Sequence, residues 1–249
     1  MTRKEILTKH YEKGEKPKTL RKQGPKGTKA KPIKQLKPYN LMSMKEKYAF
    51  NEIEKIGYLD IETSGLTANF DYMISWAMTV RNVQTGDVEL RGGYITPKDH
   101  AYAKKNRDAD LIDQRILIEL MEDIEDIDCL IGHWFIGKHR HDIPFIRTRC
   151  AINKVSGFPK HKMIRYGDTQ KWGSLIHRLS SNGLGMIGDA YGISTKKTTI
   201  KTKEWKNAIM FADPKAVAYV YDHNVKDVYL TLKVHKHMEE YVSLPSTYA

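Results

Sequence analysis

The run Tyr58-Leu59-Asp60-Ile61-Glu62-Thr63 sets two carboxylates two residues apart among apolar neighbours. On a strand that spacing turns both acids to the same face. Buried acids that point the same way repel each other and call for a cation between them. Mg²⁺ and Mn²⁺, which prefer carboxylate oxygens, suit such a pair.

Three further acidic features could complete such a site. In His141-Asp142-Ile143-Pro144-Phe145 the acid opens a helix, where the helix dipole favours a carboxylate, so Asp142 is either a site member or a helix cap. In His223-Asn224-Val225-Lys226-Asp227-Val228, His223 and Asp227 are four residues apart and share a helix face, either in a site or in solvent. Val220, Val225, Val228 and Leu232 around them favour the interior. Asp168 follows a short strand and precedes Thr169-Gln170, a place that suits metal, substrate or a helix cap.

The elements that must position these residues can be read from period and punctuation. Strands are expected over 55–63, 72–83 and 88–96, the last two joined through the hairpin turn Gln84-Thr85-Gly86-Asp87. A helix is expected over 108–125, with Leu111, Ile112, Leu117, Leu120, Met121 and Ile124 near one face. A short strand over 127–132, a helix over 142–153 and a strand over 163–168 follow. Short helices are expected over 170–179 and 184–191, and Pro214 starts a long terminal helix over 215–241. A three-strand meander followed by helix–strand alternation indicates an α/β fold with a mixed sheet flanked by helices. There is no internal repeat.

Of the 249 residues 40% are apolar, enough for a real core, and no apolar run approaches the ~18 residues of a membrane span. The Lys-rich N-terminus lacks the apolar middle of a secretory signal. Cys129 and Cys150 read as two buried reduced thiols rather than a disulfide, which points to a cytoplasmic setting. The net charge of +12 is concentrated: residues 1–50 hold 15 Lys and Arg against 4 Asp and Glu, and residues 51–249 hold 27 against 26. Residues 1–50 therefore read as a basic, largely disordered tail and 51–249 as the folded domain, with a short lead-in helix within 40–54. The tail suits a polycation that holds nucleic-acid phosphates, against the plainer reading of a solubilising extension.

The three motifs Asp60-Ile61-Glu62-Thr63-Ser64-Gly65-Leu66, Asp142-Ile143-Pro144-Phe145-Ile146 and His223-Asn224-Val225-Lys226-Asp227-Val228 resemble, in this order, those of the DEDD (DnaQ-like) 3′–5′ exonucleases of the ribonuclease H-like superfamily. The chain looks most similar to the proofreading domain of family B DNA polymerases and to stand-alone, often phage-borne, relatives. The resemblance implies a five-stranded ribonuclease H-like sheet. It also implies two divalent ions, Mg²⁺ or Mn²⁺, held by Asp60, Glu62, Asp142 and Asp227 for hydrolysis of phosphodiester bonds at single-stranded DNA ends. Thr63 and Leu66, within the first motif, become nucleic-acid contacts.

Two departures mark this chain. The family's tyrosine subgroup places Tyr four residues before the last Asp, where His223 stands; the histidine subgroup places His five before, where Asp222 stands. His223 is expected to be the base or water-orienting group, since its spacing aims it with Asp227 and an imidazole titrates near neutral pH. In the second motif Lys138 and His141 stand where the polymerase relatives carry Asn and Phe. Trp134 and Phe135 are either base-stacking or core residues. Lys138, Arg140 and the neighbouring loop histidines suit phosphate better than zinc. The run Lys196-Lys197-Thr198-Thr199-Ile200-Lys201-Thr202-Lys203, followed by Trp205, reads as a strand edge or loop tracking a backbone, with Lys197, Lys201 and Trp205 as contacts. A non-cleaving nucleic-acid-binding protein on the same fold, or a structure-specific or RNA-directed nuclease, are the rivals, and a replication or repair partner is left open.

Overall fold

A computed structural model describes residues 42–136, 140–159, 163–194, 198–242 and 244–245. Residues 1–41, the bulk of the basic tail, lie outside the described residues, as do Lys138, His139, Lys196 and Lys197.

The lead-in helix is α1, Met44–Phe50, started by a capping box in which Ser43 and Glu46 bond each other's backbone N–H. Its Tyr48 is buried and reaches Glu239 near the far end of the chain. The meander follows as β1 (Lys55–Thr63), β2 (Met73–Asn82) and β3 (Val88–Tyr94), each antiparallel to the last. Gly86, at φ +86°, makes the turn that only a residue without Cβ adopts at no cost. The strands β4 (Cys129–Gly132) and β5 (Arg165–Asp168) add in parallel beyond β1, giving the order β3-β2-β1-β4-β5. A parallel addition needs a crossover, and helices supply each one. The result is a mixed five-stranded α/β sheet with helices on its faces.

The central position of β1 explains its composition. Apolar residues line both of its faces, and only near its C-terminal end do acids replace them. Its even-numbered residues face α8 (Pro214–Met238): Tyr58 Oη meets His235 Nδ1 at 2.8 Å, and Asp60 is bonded from Asn224. Leu59 and Ile61 turn to the opposite layer, the core that includes Ile116, Leu117 and Leu120 of α3 (Gln114–Asp123) and Phe145 and Ile146 of α4 (Asp142–Ile152). Burial holds His235 neutral, its pKa pulled down to about 3 with help from the Arg81 charge.

Three segments differ from the sequence reading. A helix α2, Pro97–Asn106, precedes the expected one; its start is legible in Thr96-Pro97-Lys98-Asp99, a capping box with Pro in the first turn. The expected helix over 108–125 is divided into a 3₁₀ turn, Ala109–Asp113, and α3. The reason is Asp113, which is drawn inside to accept Arg149 Nε and Nη2 and the backbone N–H of Met73 at 2.9 Å each. Finally, α7 (Thr202–Phe211) replaces the strand edge considered for the basic run; residues 198–201 before it are neither strand nor helix. The short helices α5 (Thr169–Ile176) and α6 (Leu184–Ala190) pack on α8. Cys129 and Cys150 are buried free thiols. Among the described residues no helix is long and apolar enough to cross a membrane.

Candidate active site

The acids of all three motifs gather where β1 ends. Asp60 and Glu62 leave the sheet toward α8, and a register shift between Glu62 and Thr63 ends regular pairing there. Asn224 Nδ2 donates to Asp60 Oδ2 at 2.9 Å. One helical position earlier, His223 Nε2 stands 3.7 Å from Glu62 Oε1 and 3.7 Å from Asp227 Oδ2. The i, i+4 spacing thus puts His223 and Asp227 on one face, and that face is interior: His223 is 7% exposed and Asp227 4%. Asp222, by contrast, is exposed and pairs with Lys226 at 2.5 Å, so the alternative histidine position carries a surface ion pair.

Asp142 arrives from the other side as the first residue of α4. It is buried, and its Oδ2 has no hydrogen-bond partner. Burial pushes its carboxyl well above the usual carboxylate range, and the charges of Glu62 and then Asp168 push it further. A buried carboxylate with an orphaned oxygen, facing a second carboxylate, holds either a proton or a cation. The four acids themselves offer only oxygen donors, which fits Mg²⁺ or Mn²⁺, with the His223 imidazole beside two of them. In this conformation Asp60 is bonded from Asn224 and Glu62 and Asp227 stand beside His223, and among the described residues no three His, Cys, Asp or Glu side chains converge at ligating distance.

His141, the residue before Asp142, has a specific place. Its Nε2 meets Thr63 Oγ1 at 3.3 Å, and its ring lies against Phe145. Burial lowers its pKa, with the Asp71 charge opposing. The Thr63 hydroxyl also donates to Gly65 O at 2.6 Å, so it is held in the turn that leaves β1. Leu66 is 84% exposed on the loop that follows.

Asp168 resolves to a brace. Its Oδ1 accepts from the backbone N–H of Trp134, Gln170 and Lys171, and its Oδ2 from Phe135 and Ile136, at 2.7–3.2 Å. It caps α5 and pins the turn after β4 at once. That turn separates the two aromatic candidates. Phe135 is fully buried and packs on Tyr166, so it cannot stack on a base; Gly132 is required beside it, since a Cβ there would meet the Phe135 ring at 2.2 Å. Trp134 takes the left-handed backbone at φ +62° and is 43% exposed. Such a conformation costs a non-glycine residue ~1–2 kcal/mol and persists where neighbours over-determine it.

Among the remaining predicted contacts, Arg140 and Lys201 are exposed. Trp205 is half-buried against the core and lines a cavity of about 320 Å³ with Ile200 and Thr202. Asn224, fully buried on Asp60, and Thr198, on His223 Nδ1, are site residues outside the set expected from the sequence. The signal for Asn224 is its place on the buried stripe Val220, Asn224, Asp227, Val228, Thr231. For Thr198 there is none.

No family model and no curated protein matches the sequence. Similar solved structures exist. A family B DNA polymerase from the hyperthermophilic archaeon Pyrobaculum calidifontis is 14% identical, with a TM-score of 0.53 over 74% of this chain and 24% of the polymerase. Product-bound exonuclease I is 15% identical, with a TM-score of 0.49 over 76% of this chain and 44% of that one. A full-length 3′-exonuclease is 15% identical, with a TM-score of 0.45 over 76% and 61%. The chain thus spans about a quarter of the polymerase and under two thirds of each exonuclease. The mixed five-stranded α/β sheet with flanking helices is the fold that this chain shares with the polymerase.

Proposed function

We propose that this chain is a metal-dependent 3′–5′ exonuclease that acts on nucleic-acid ends, single-stranded DNA foremost. The observation that carries the reading is the gathering of Asp60, Glu62, Asp142 and Asp227 at the end of β1, with His223 Nε2 3.7 Å from two of them. Asp60, Glu62, Asp142 and Asp227 would hold two Mg²⁺ or Mn²⁺ ions. Ions held there would supply polarisation of the scissile phosphate, activation of a water and charge neutralisation at the leaving 3′ oxygen. His223 accepts the proton of the attacking water at Nε2; the water oxygen bonds to phosphorus, and the bond to the 3′ oxygen breaks. Asn224 holds Asp60 in place, and Trp134 offers its ring to a terminal base. Arg140 and Lys201 meet phosphates without reading sequence.

A 5′-labelled single strand with Mn²⁺ or Mg²⁺ tests this. The expected product is a ladder shrinking from the 3′ end one nucleotide at a time, absent with EDTA. Asp60→Ala or Asp227→Ala abolishes it while strand binding persists, and His223→Ala slows it by ~10²–10⁴-fold. Robust hydrolysis in EDTA, or an Asp227→Ala protein that cleaves normally, would sink the proposal. A second reading, a strand-binding protein that does not cut, is favoured by one observation: the acids are engaged by Asn224 and His223 rather than converging. It predicts retention of the labelled strand with no ladder in Mn²⁺.

A further inference from the structure

His223 makes a contact on the side of its ring away from the acids. Thr198 lies outside all three motifs and on no helix or strand, and its Oγ1 stands 2.5 Å from His223 Nδ1. The loop that carries it is tied down: Tyr219 Oη donates to the carbonyl of the next residue, Thr199, at 3.2 Å, one turn of α8 before His223. The ring is thus gripped at Nδ1 while Nε2 faces Glu62 and Asp227 at 3.7 Å each.

A neutral imidazole has one N–H and one lone pair, and the hydrogen bond at one nitrogen decides which the other presents. Two carboxylates in front of Nε2 draw the N–H to that nitrogen. A ring in that tautomer donates toward the acids and has no lone pair with which to take a proton from water. A hydroxyl at Nδ1 can donate to a bare Nδ1 or accept an Nδ1–H, and where it accepts, it opposes this and leaves the lone pair on Nε2.

We propose that Thr198 is a positioning residue for the reaction: its hydroxyl accepts the Nδ1–H of His223 and so keeps the Nε2 lone pair turned into the acid cluster. This rests on the exonuclease reading. It also assigns the loop before α7 a part in the site that charge patterning alone does not, since the lysines around Thr198 draw attention to phosphate and not to the imidazole.

The test pairs kinetics with spectroscopy on the full chain. Thr198→Val keeps the shape and removes the hydroxyl. It should lower kcat about tenfold, the loss of one hydrogen bond to a group that becomes charged, with KM nearly unchanged. Thr198→Ser should recover most of the loss, which a purely structural role for the threonine methyl would not. In the metal-free protein, long-range ¹H–¹⁵N spectra of His223 at alkaline pH should show a larger Nδ1–H tautomer population in the wild type than in Thr198→Val. A Thr198→Val enzyme with wild-type kcat, or a tautomer ratio the substitution leaves unmoved, overturns the proposal and leaves the exonuclease reading standing. A wild-type protein that cuts no strand overturns both.

Discussion

Asp168→Asn is the substitution whose cost can be worked out most directly. The carboxylate is 1% exposed and accepts five backbone N–H groups from two segments. An Asn side chain has one acceptor oxygen. Placed to keep the Oδ1 bonds to Trp134, Gln170 and Lys171, it sets its own NH₂ against the N–H of Phe135 and Ile136, which stood at 2.7 and 2.9 Å from Oδ2. Two charge-assisted bonds are lost, each worth ~1.5–3 kcal/mol, so the ceiling is ~6 kcal/mol. Rearrangement of the turn toward water recovers part of that, and about 3 kcal/mol is a fair expectation. For a domain of this size each kcal/mol moves Tm by ~2–4 °C, so the midpoint should fall by ~6–12 °C. Thermal unfolding followed by circular dichroism reads this, with limited proteolysis to show whether the first cut falls near Trp134. A melt within ~1 °C of the wild type would refute the brace. If cleavage were lost at that unchanged Tm, Asp168 would belong to the reacting groups.

Asp142→Asn should abolish cleavage yet stabilise the metal-free protein at alkaline pH. The folded-state pKa of Asp142 is raised above its unfolded value, so the proton favours the fold and stability falls as pH rises above ~4 toward that raised value. The gain in Tm over wild type should therefore be smallest near pH ~4 and grow as the pH rises; a difference independent of pH would contradict the assigned burial. The aromatic pair should divide cleanly. Phe135→Ala costs ~3–5 kcal/mol from the core, whereas Trp134→Ala changes Tm little and raises KM for single strands. Equal effects on Tm would contradict the opposite environments of the two rings.

The strand carrying Asp60 and Glu62 and the long helix carrying His223 and Asp227 are legible because both are long and strongly periodic. A buried central strand announces its two acids, and an i, i+4 pair on an apolar stripe announces a shared face. What is less legible depends on contacts distant in sequence. The break between the 3₁₀ turn and α3 follows from Asp113 bonding Arg149, and the sequence shows only a continuous helical period. Trp134 and Phe135 are chemically alike and adjacent, and the turn that Asp168 pins leaves one ring exposed and the other buried. Thr63 reads as a substrate contact in its motif, and its bonds to His141 and Gly65 carry no sequence signal. Thr198 is 25 residues from the histidine it touches, with no period or motif linking them.

The alignment of α8 along β1 has a mechanical corollary. Tyr58 with His235 and Asp60 with Asn224 tie one strand to one helix running the other way. From Asn224 to His235 the helix axis advances ~16 Å as a single rod. Axial placement of His223 and Asp227 is therefore shared between the Asn224 bond beside them and the far end, where a tyrosine phenol meets a neutral imidazole. A repacking there that slid the rod by even a fraction of its pitch would retune the spacing of the acids with no change to any residue at the site. The register of one helix acts as a calibration for the whole cluster.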